Sequence, residues 1–260
     1  MSTQQQPFPD WERPHFTQAA GQNLLYFIVY GKALSEMNIS GDKYRAWHMP
    51  KELNLSSHHQ NANPEQLKLF REGIFESMLQ EQLPELVADI QAAEHCYIIQ
   101  AILPDKPNLN DFRVGVGIVT YLLDCGGIAV FDPLAYQWWS PEEWHKKAFE
   151  PEQFDPFAHV KILVSPEHNE SSWVYTHGLR KFGRPDLGIH YVNEEEMDAV
   201  LEMIDRFIAF MAGGGLINEG QEIRMHDLPE GMVCHYKDTM SDPRFNNIHV
   251  EISWPDPDTN

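Results

Sequence analysis

Short apolar runs and longer amphipathic stretches alternate along this chain. Residues 24–30 (LLYFIVY) and 96–103 (CYIIQAIL) are continuous apolar runs rich in β-branched and aromatic residues, which favour buried strands. Shorter runs of the same kind predict further strands at 128–131, 158–164, 172–177 and 187–192. Residues 32–62 are mostly polar and are predicted to be mostly loop.

Apolar residues at helical spacing predict the helices of the first half. One helix is predicted to begin at Asn63-Pro64, because asparagine can cap a helix and proline suits its first turn. Pro84 should break this helix, so that a second segment restarts there. Another helix is predicted over residues 110–124, ending at Gly126-Gly127, and a short one after Ser140.

The strongest helical pattern lies at residues 194–212. Asn193 and Glu196 form a capping-box-like start, and apolar residues then recur along one face until Gly213-Gly214-Gly215. Two more strands are predicted after this helix, at 231–237 and 247–254.

Strands and helices interleave without a strict βαβ rhythm. This order predicts an α+β fold with a mixed, mainly antiparallel sheet and helices packed on it. Residues 1–22 are rich in glutamine and proline and are predicted to form a flexible N-terminal arm. Residues 23–260 are predicted to form a single domain, or two halves with a seam near residues 150–157.

The charge balance restricts the class of partner. Nineteen Lys and Arg residues face 39 Asp and Glu residues, and the net charge is −20. A field of this sign repels phosphate backbones, so no nucleic-acid partner is expected. The apolar runs are too short for a membrane helix, so no membrane partner is expected either. The acidity fits capture of a basic protein partner, and it fits solubility equally well.

Cysteine usage and the N-terminal residues bear on cofactor and compartment. Cys96, Cys125 and Cys234 lie far apart and form no C-x-x-C pair, so they are predicted to be core thiols in a reducing compartment. The first residues lack the apolar region of a secretion signal, which predicts a cytoplasmic protein. No sequence pattern predicts a cofactor.

A glycine- and proline-punctuated segment, WVYTHGLRKFGRPDL at residues 173–187, is the first candidate for chemistry. It is predicted to be a rigid bend between two strands, because Gly178 and Gly183 permit tight turns. His177 stands at a strand end, where functional sites gather, and Arg180, Lys181 and Arg184 form the densest basic patch of the chain. His177, Arg180 and Arg184 are therefore the candidate catalytic residues, and Lys181 is a candidate binding residue. Alternatively, the histidine bonds to the turn and the cations pair with an acidic surface.

The same segment resembles the signature of an uncharacterised bacterial group, domain-of-unknown-function family 4261. The residues that carry the resemblance are Thr176, His177, Gly178, Leu179, Phe182, Gly183, Pro185 and Leu187. The stretch GGIAVFDPLAYQWWSPEEW, residues 126–144, also resembles that group, and the resemblance covers residues 96–212. It implies a bacterial protein but no activity, cofactor or catalytic residue.

Two further groups of residues could carry function. Trp138, Trp139 and Trp144 concentrate aromatic surface that could anchor a protein interface or form the edge of a core. If strands 231–237 and 247–254 pair, His235 could lie across from His249 and Glu251, which share one strand face, and the three could hold a metal ion.

Three functional hypotheses follow, and the sequence leaves open whether the protein is an enzyme. The first is a non-enzymatic binding or interaction protein of the bacterial cytoplasm. The second is a small hydrolase or transferase that uses His177 with Arg180 and Arg184. The third is a metal-assisted enzyme that uses the second histidine group.

Overall fold

A computed structural model describes residues 8–19, 21–34, 36–237 and 246–255. These residues form two compact units, each with its own sheet, and the fold is α+β as predicted. The first unit contains the described residues of 8–12, 23–104 and 108–158, and the second those of 13–22, 105–107 and 159–255. The last step from the first unit to the second falls between Ala158 and His159, beside the predicted seam.

The sheet of the first unit has five antiparallel strands. Their order in the sheet is β2-β3-β1-β4-β5. The strands are β1 (Asn23–Gly31), β2 (Asn54–His59), β3 (His95–Leu103), β4 (Gly127–Asp132) and β5 (Gln137–Trp139). β1 and β3 carry the two longest apolar runs, and they lie side by side in the middle of the sheet, where burial is greatest.

The helices of the first unit are mostly short. They are α1 (Gly41–Tyr44), α2 (Pro64–Lys68), α3 (Ile74–Gln82), α4 (Val87–Ala92), α5 (Asn110–Asp124) and α6 (Pro141–Trp144). α5 is buried along most of its length and contacts β1 and β4. Pro84 separates α3 from α4, as predicted.

The sheet of the second unit has six strands and one parallel pair. Their order is β6-β7-β8-β11-β10-β9, with β8 and β11 parallel and the other pairs antiparallel. The strands are β6 (Lys161–Pro166), β7 (Ser172–His177), β8 (Asp186–Val192), β9 (Glu222–Ile223), β10 (Met232–Lys237) and β11 (His249–Ser253). The long helix α7 (Met197–Ala212) contacts β8.

The strand register gives the second sheet two different faces. Val174 lies opposite Ile189, Leu187 opposite Val250, and Ile252 opposite Cys234, and all six are buried. On the other face, Tyr175, Gly188, Glu251 and His235 form one row across β7, β8, β11 and β10. We call this second surface, which also carries Trp173, His190 and Ser253, the polar face.

Two expectations about the N-terminal part need correction. Residues 32–62 are not mostly loop, because they include α1 and β2, and β2 pairs along its whole length with β3. Within the predicted flexible arm, residues 1–7 and 20 lie outside the described residues, but Trp11 is only 2% exposed and its indole donates to the Glu152 carbonyl at 3.1 Å. Residues 8–19 are therefore packed, since an aromatic side chain and several backbone groups anchor them. Among the described residues, no helix has the length and apolar character needed to cross a membrane.

Candidate functional site

The glycine-rich corner, residues 178–185, joins β7 to β8 and is the rigid bend that the sequence predicts. Gly178 has a φ of +118° and Gly183 a φ of +65°, both in the left-handed region that favours glycine. A Cβ on Gly178 would lie 2.4 Å from the carbonyl oxygen of His159, so no other residue fits there. The corner is thus fixed by backbone geometry at both ends.

A buried carboxylate holds the corner closed. Asp186 Oδ1 accepts hydrogen bonds from Thr176 Oγ1 at 3.1 Å and from the Leu179 amide at 3.2 Å, and its Oδ2 accepts one from Asn247 Nδ2 at 2.9 Å. Burial raises the pKa of Asp186 to about 7. These partners lie in the corner, in its flanking strand β7 and in the segment just before β11, so Asp186 serves structure.

The basic residues of the corner are also structural, which corrects the prediction of a basic surface patch. Arg184 is buried and donates to the carbonyls of Gly214 at 2.7 Å, Gly215 at 2.9 Å and Thr17 at 3.0 Å. Lys181 is fully buried, and Arg180 is half-buried and donates to the Asn246 carbonyl. Arg180 and Arg184 bond to backbone carbonyls, and Lys181 and Arg184 are buried, so the three cations do not form a basic surface patch.

His177 does not line a cleft either. It is 1% exposed at the end of β7, with its ring edge-on to Tyr175. A catalytic histidine must reach its substrate, and this burial does not allow that. The predicted catalytic group of His177, Arg180 and Arg184 is therefore not supported.

The tryptophan cluster lies in the core of the first unit, so the predicted interface is wrong. Trp138, Trp139 and Trp144 are all buried. Trp138 stacks on Phe131 with ring centroids 4.5 Å apart, and Trp144 packs edge-on against Trp139. These side chains fit the alternative prediction, in which the tryptophans form the edge of a core.

The predicted metal trio does not converge. β10 and β11 pair as predicted, and His235 lies directly opposite Glu251, but His249 lies opposite Lys237. His235 Nδ1 is instead 2.9 Å from Glu219 Oε1. Within the described ranges, no three His, Cys, Asp or Glu residues are close enough to hold a metal ion.

The polar face of the second sheet carries a different ionisable group, made of Glu167, His190 and Glu251. His190 Nδ1 lies 2.6 Å from Glu167 Oε1, and His190 Nε2 lies 3.9 Å from Glu251 Oε2. A carboxylate only accepts hydrogen bonds, so His190 donates from Nδ1 and directs Nε2 towards Glu251. We call these three residues the carboxylate–imidazole group.

Two cavities meet at Glu167. One has a volume of about 360 Å³ and is lined by Glu167, His190, Tyr191, Glu251, Ile252, Ser253 and Trp254. The other has a volume of about 550 Å³ and is lined by Ser165, Pro166, Glu167, His168, Trp173 and Tyr175. Volumes of this size are typical of ligand sites.

Aromatic rings form the wall beside the carboxylate–imidazole group. Trp173 stacks with Tyr175 at a centroid distance of 3.7 Å and with His190 at 5.0 Å. The indole of Trp254 donates to the His190 carbonyl at 2.7 Å. Stacking on Trp173 therefore fixes the ring of His190, and the hydrogen bond from Trp254 fixes the backbone of the same residue.

The backbone is strained at this position. Tyr191 is 64% exposed and has a φ of +60°, which is unusual for a bulky residue. Glu167 Oε2 accepts a hydrogen bond from the Tyr191 amide at 2.8 Å. Strained residues gather at functional sites, and here the strain presents an aromatic ring to solvent at the edge of the smaller cavity.

Burial raises the pKa of Glu251 to about 7, against an ordinary value of 4.5. His190 and Lys237 oppose this rise and the charge of Glu167 adds to it. A carboxyl group that titrates near neutrality beside a cavity marks a candidate functional site. The structure thus brings together a pH-sensitive carboxyl group, a second carboxylate and aromatic walls.

Glu251 was predicted from the sequence as a possible metal ligand, whereas Glu167 and His190 were not predicted. The sequence alone predicts that Gly188 and His190 lie on the same face of β8, because alternate residues of a strand share a face. The missing information was the parallel pairing of β8 with β11, which brings His190 beside Glu251. Glu167 belongs to the turn after β6 and reaches the group through tertiary folding.

Comparison of the chain with protein-family models, with curated proteins and with solved structures finds no match. Membership of domain-of-unknown-function family 4261 therefore stays a prediction.

Proposed function

We propose that this protein is a non-enzymatic binding protein and that its polar face holds an arginine- or lysine-bearing segment of a protein partner. The observation that carries the proposal is the placement of Glu167 and Glu251 on either side of His190, where two cavities meet. A cationic side chain entering either cavity would meet a carboxylate. A bacterial cytoplasmic setting remains part of the proposal.

The chemistry of the cavity walls supports a cationic occupant. Neither set of lining residues contains a lysine or an arginine among the described residues, and both contain carboxylates and aromatic rings. Aromatic faces attract guanidinium and ammonium groups, and carboxylates accept their hydrogen bonds. The net charge of −20 would also speed the approach of a basic segment.

Calorimetric titration with an end-blocked tetra-arginine peptide tests this proposal. We expect saturable binding, weakened about tenfold by Glu167→Gln or by Glu251→Gln, because each change removes one charge-assisted hydrogen bond. A tetra-glutamate peptide should not bind. Glu65→Gln, an exposed residue of α2, is the matched control because it changes the net charge by the same amount. Equal weakening in all three variants would show that the peptide responds only to the overall charge.

The raised pKa of Glu251 predicts a pH dependence of this binding. A cation prefers the ionised form of Glu251. Because the pKa of Glu251 is about 7, only a minority of protein molecules carry that ionised form below neutral pH. Because the uncharged form is expected to bind about tenfold more weakly, as in Glu251→Gln, we expect affinity for the tetra-arginine peptide to rise about fivefold from pH 6 to pH 8 and then to level off. His190, Lys237, Glu167 and His235 surround Glu251, so Glu251→Gln must be titrated in parallel. If that variant keeps the full pH dependence, another group is responsible.

A further inference from the structure

A separate apolar groove lies between α7 and residues 221–225. It has a volume of about 310 Å³, and Met203, Phe207 and Phe210 form one wall. Their spacing of four and then three residues places them on one side of the helix. The opposite wall is formed by the alternate residues Gln221, Ile223 and Met225.

Two arginines complete the lining of this groove. Arg206 Nη2 bonds to Glu202 Oε1 at 2.5 Å, and Arg224 Nη2 bonds to Glu222 Oε2 at 3.2 Å. Within the described part of the chain, the guanidinium group of each arginine makes no other hydrogen bond. An arginine has five N–H donors, so both retain donors for a ligand. Both side chains are largely exposed, and such surface pairs hold their partners weakly.

We propose that this groove binds a small amphipathic carboxylate, with its apolar chain between the two walls and its carboxylate on Arg206 and Arg224. Charge complementarity argues for this occupant, because Arg206 and Arg224 are the only charged residues among the described residues that line the groove. Methionine side chains adapt to flexible apolar chains, and two of them line the groove. The site is distinct from the polar face and prefers a ligand of opposite charge.

Three probes that share one apolar chain test the proposal: decanoate and decyltrimethylammonium, each below its micellar concentration, and decanol, below its aqueous solubility. Methyl-labelled methionine gives a local NMR readout, because Met203 and Met225 line the groove. We expect decanoate to shift both methyl signals saturably, with an affinity about tenfold above that of decanol and with decyltrimethylammonium weaker still. If no probe shifts these signals, or if decanol binds as tightly as decanoate, the proposal is wrong.

The double variant Arg206→Gln, Arg224→Gln locates the head-group contact. It should bring the affinity for decanoate down to that for decanol and leave decanol binding unchanged. Lys147→Gln is the matched control, because Lys147 pairs with Glu143 at the same helical spacing as Arg206 with Glu202. Both arginines are exposed, so the variant is expected to fold, and its circular dichroism spectrum verifies this. Undiminished decanoate binding by the double variant would overturn the proposal.

Discussion

Asp105→Ala is expected to lower the free energy of unfolding by about 3–5 kcal/mol, because it leaves two buried guanidinium groups without their counter-charge. The side chain of Asp105 is 3% exposed and bonds to Arg13, at 2.5 Å, and to Arg184, at 3.3 Å, whose side chains are fully buried. Both arginines belong to the second unit, as does Asp105.

The location of these arginines explains the size of the effect. The last four carbonyls of α7 have no partner within the helix. Three of them accept from the amides of residues 213–215, and the fourth, on Ala212, accepts from Arg13 Nε at 3.2 Å. Arg184 satisfies the next carbonyls, on Gly214 and Gly215. Asp105 therefore neutralises Arg13 and Arg184, the two arginines that bond to the carbonyls at the end of α7 and connect this helix to the glycine-rich corner.

Urea unfolding followed by far-ultraviolet circular dichroism measures this change. Glu143→Ala is the control, because it removes one carboxylate from an exposed ion pair with Lys147, and we expect a loss below about 1 kcal/mol. A loss equally small for Asp105→Ala would mean that the carbonyl bonds alone stabilise the two arginines.

Trp144→Ala is expected to lower the free energy of unfolding by about 3–5 kcal/mol, because it opens a large cavity in the first unit. Trp144 is fully buried and packs edge-on against Phe27 at a centroid distance of 5.1 Å. Its indole donates to Thr120 Oγ1 at 3.0 Å, and the variant leaves that buried hydroxyl without the bond.

This variant separates the core from an interface. Trp47→Ala is the control, because Trp47 is only half-buried and bonds to exposed Asp42, so its loss should be smaller. Thermal unfolding of both variants gives the comparison. A tryptophan at an interface would instead leave the stability of the free protein nearly unchanged when replaced.

Local patterns predicted most helices and strands of this fold. The run at 24–30 became the central strand β1, because a continuous apolar segment must be buried on both faces. Glu196 accepts from the Asn193 amide at 3.0 Å, which confirms the capping box before α7. β2 was missed because its sequence, NLSSHH, is polar and only half-buried, so edge pairing with β3 rather than hydrophobicity makes it a strand.

The candidate site was harder to predict, because buried ion pairs and active sites use the same residue types. Histidine and arginine beside glycines at a strand end resemble catalytic groups, yet His177 and Arg184 face inward to the protein. Conversely, Glu167 and His190 lie 23 residues apart and meet only through the fold. Sequence spacing cannot distinguish these cases, since both depend on tertiary contacts.

The location of the bound cation is the most direct test of the account. The chain has seven tryptophans, and their indole NMR signals report on separate regions during titration with tetra-arginine. We predict saturable shifts at Trp173 and Trp254, which line the two cavities, with Trp138 and Trp144 unchanged. Shifts at Trp138 and Trp144 with an unchanged Trp254 signal would contradict binding of the cation at the polar face.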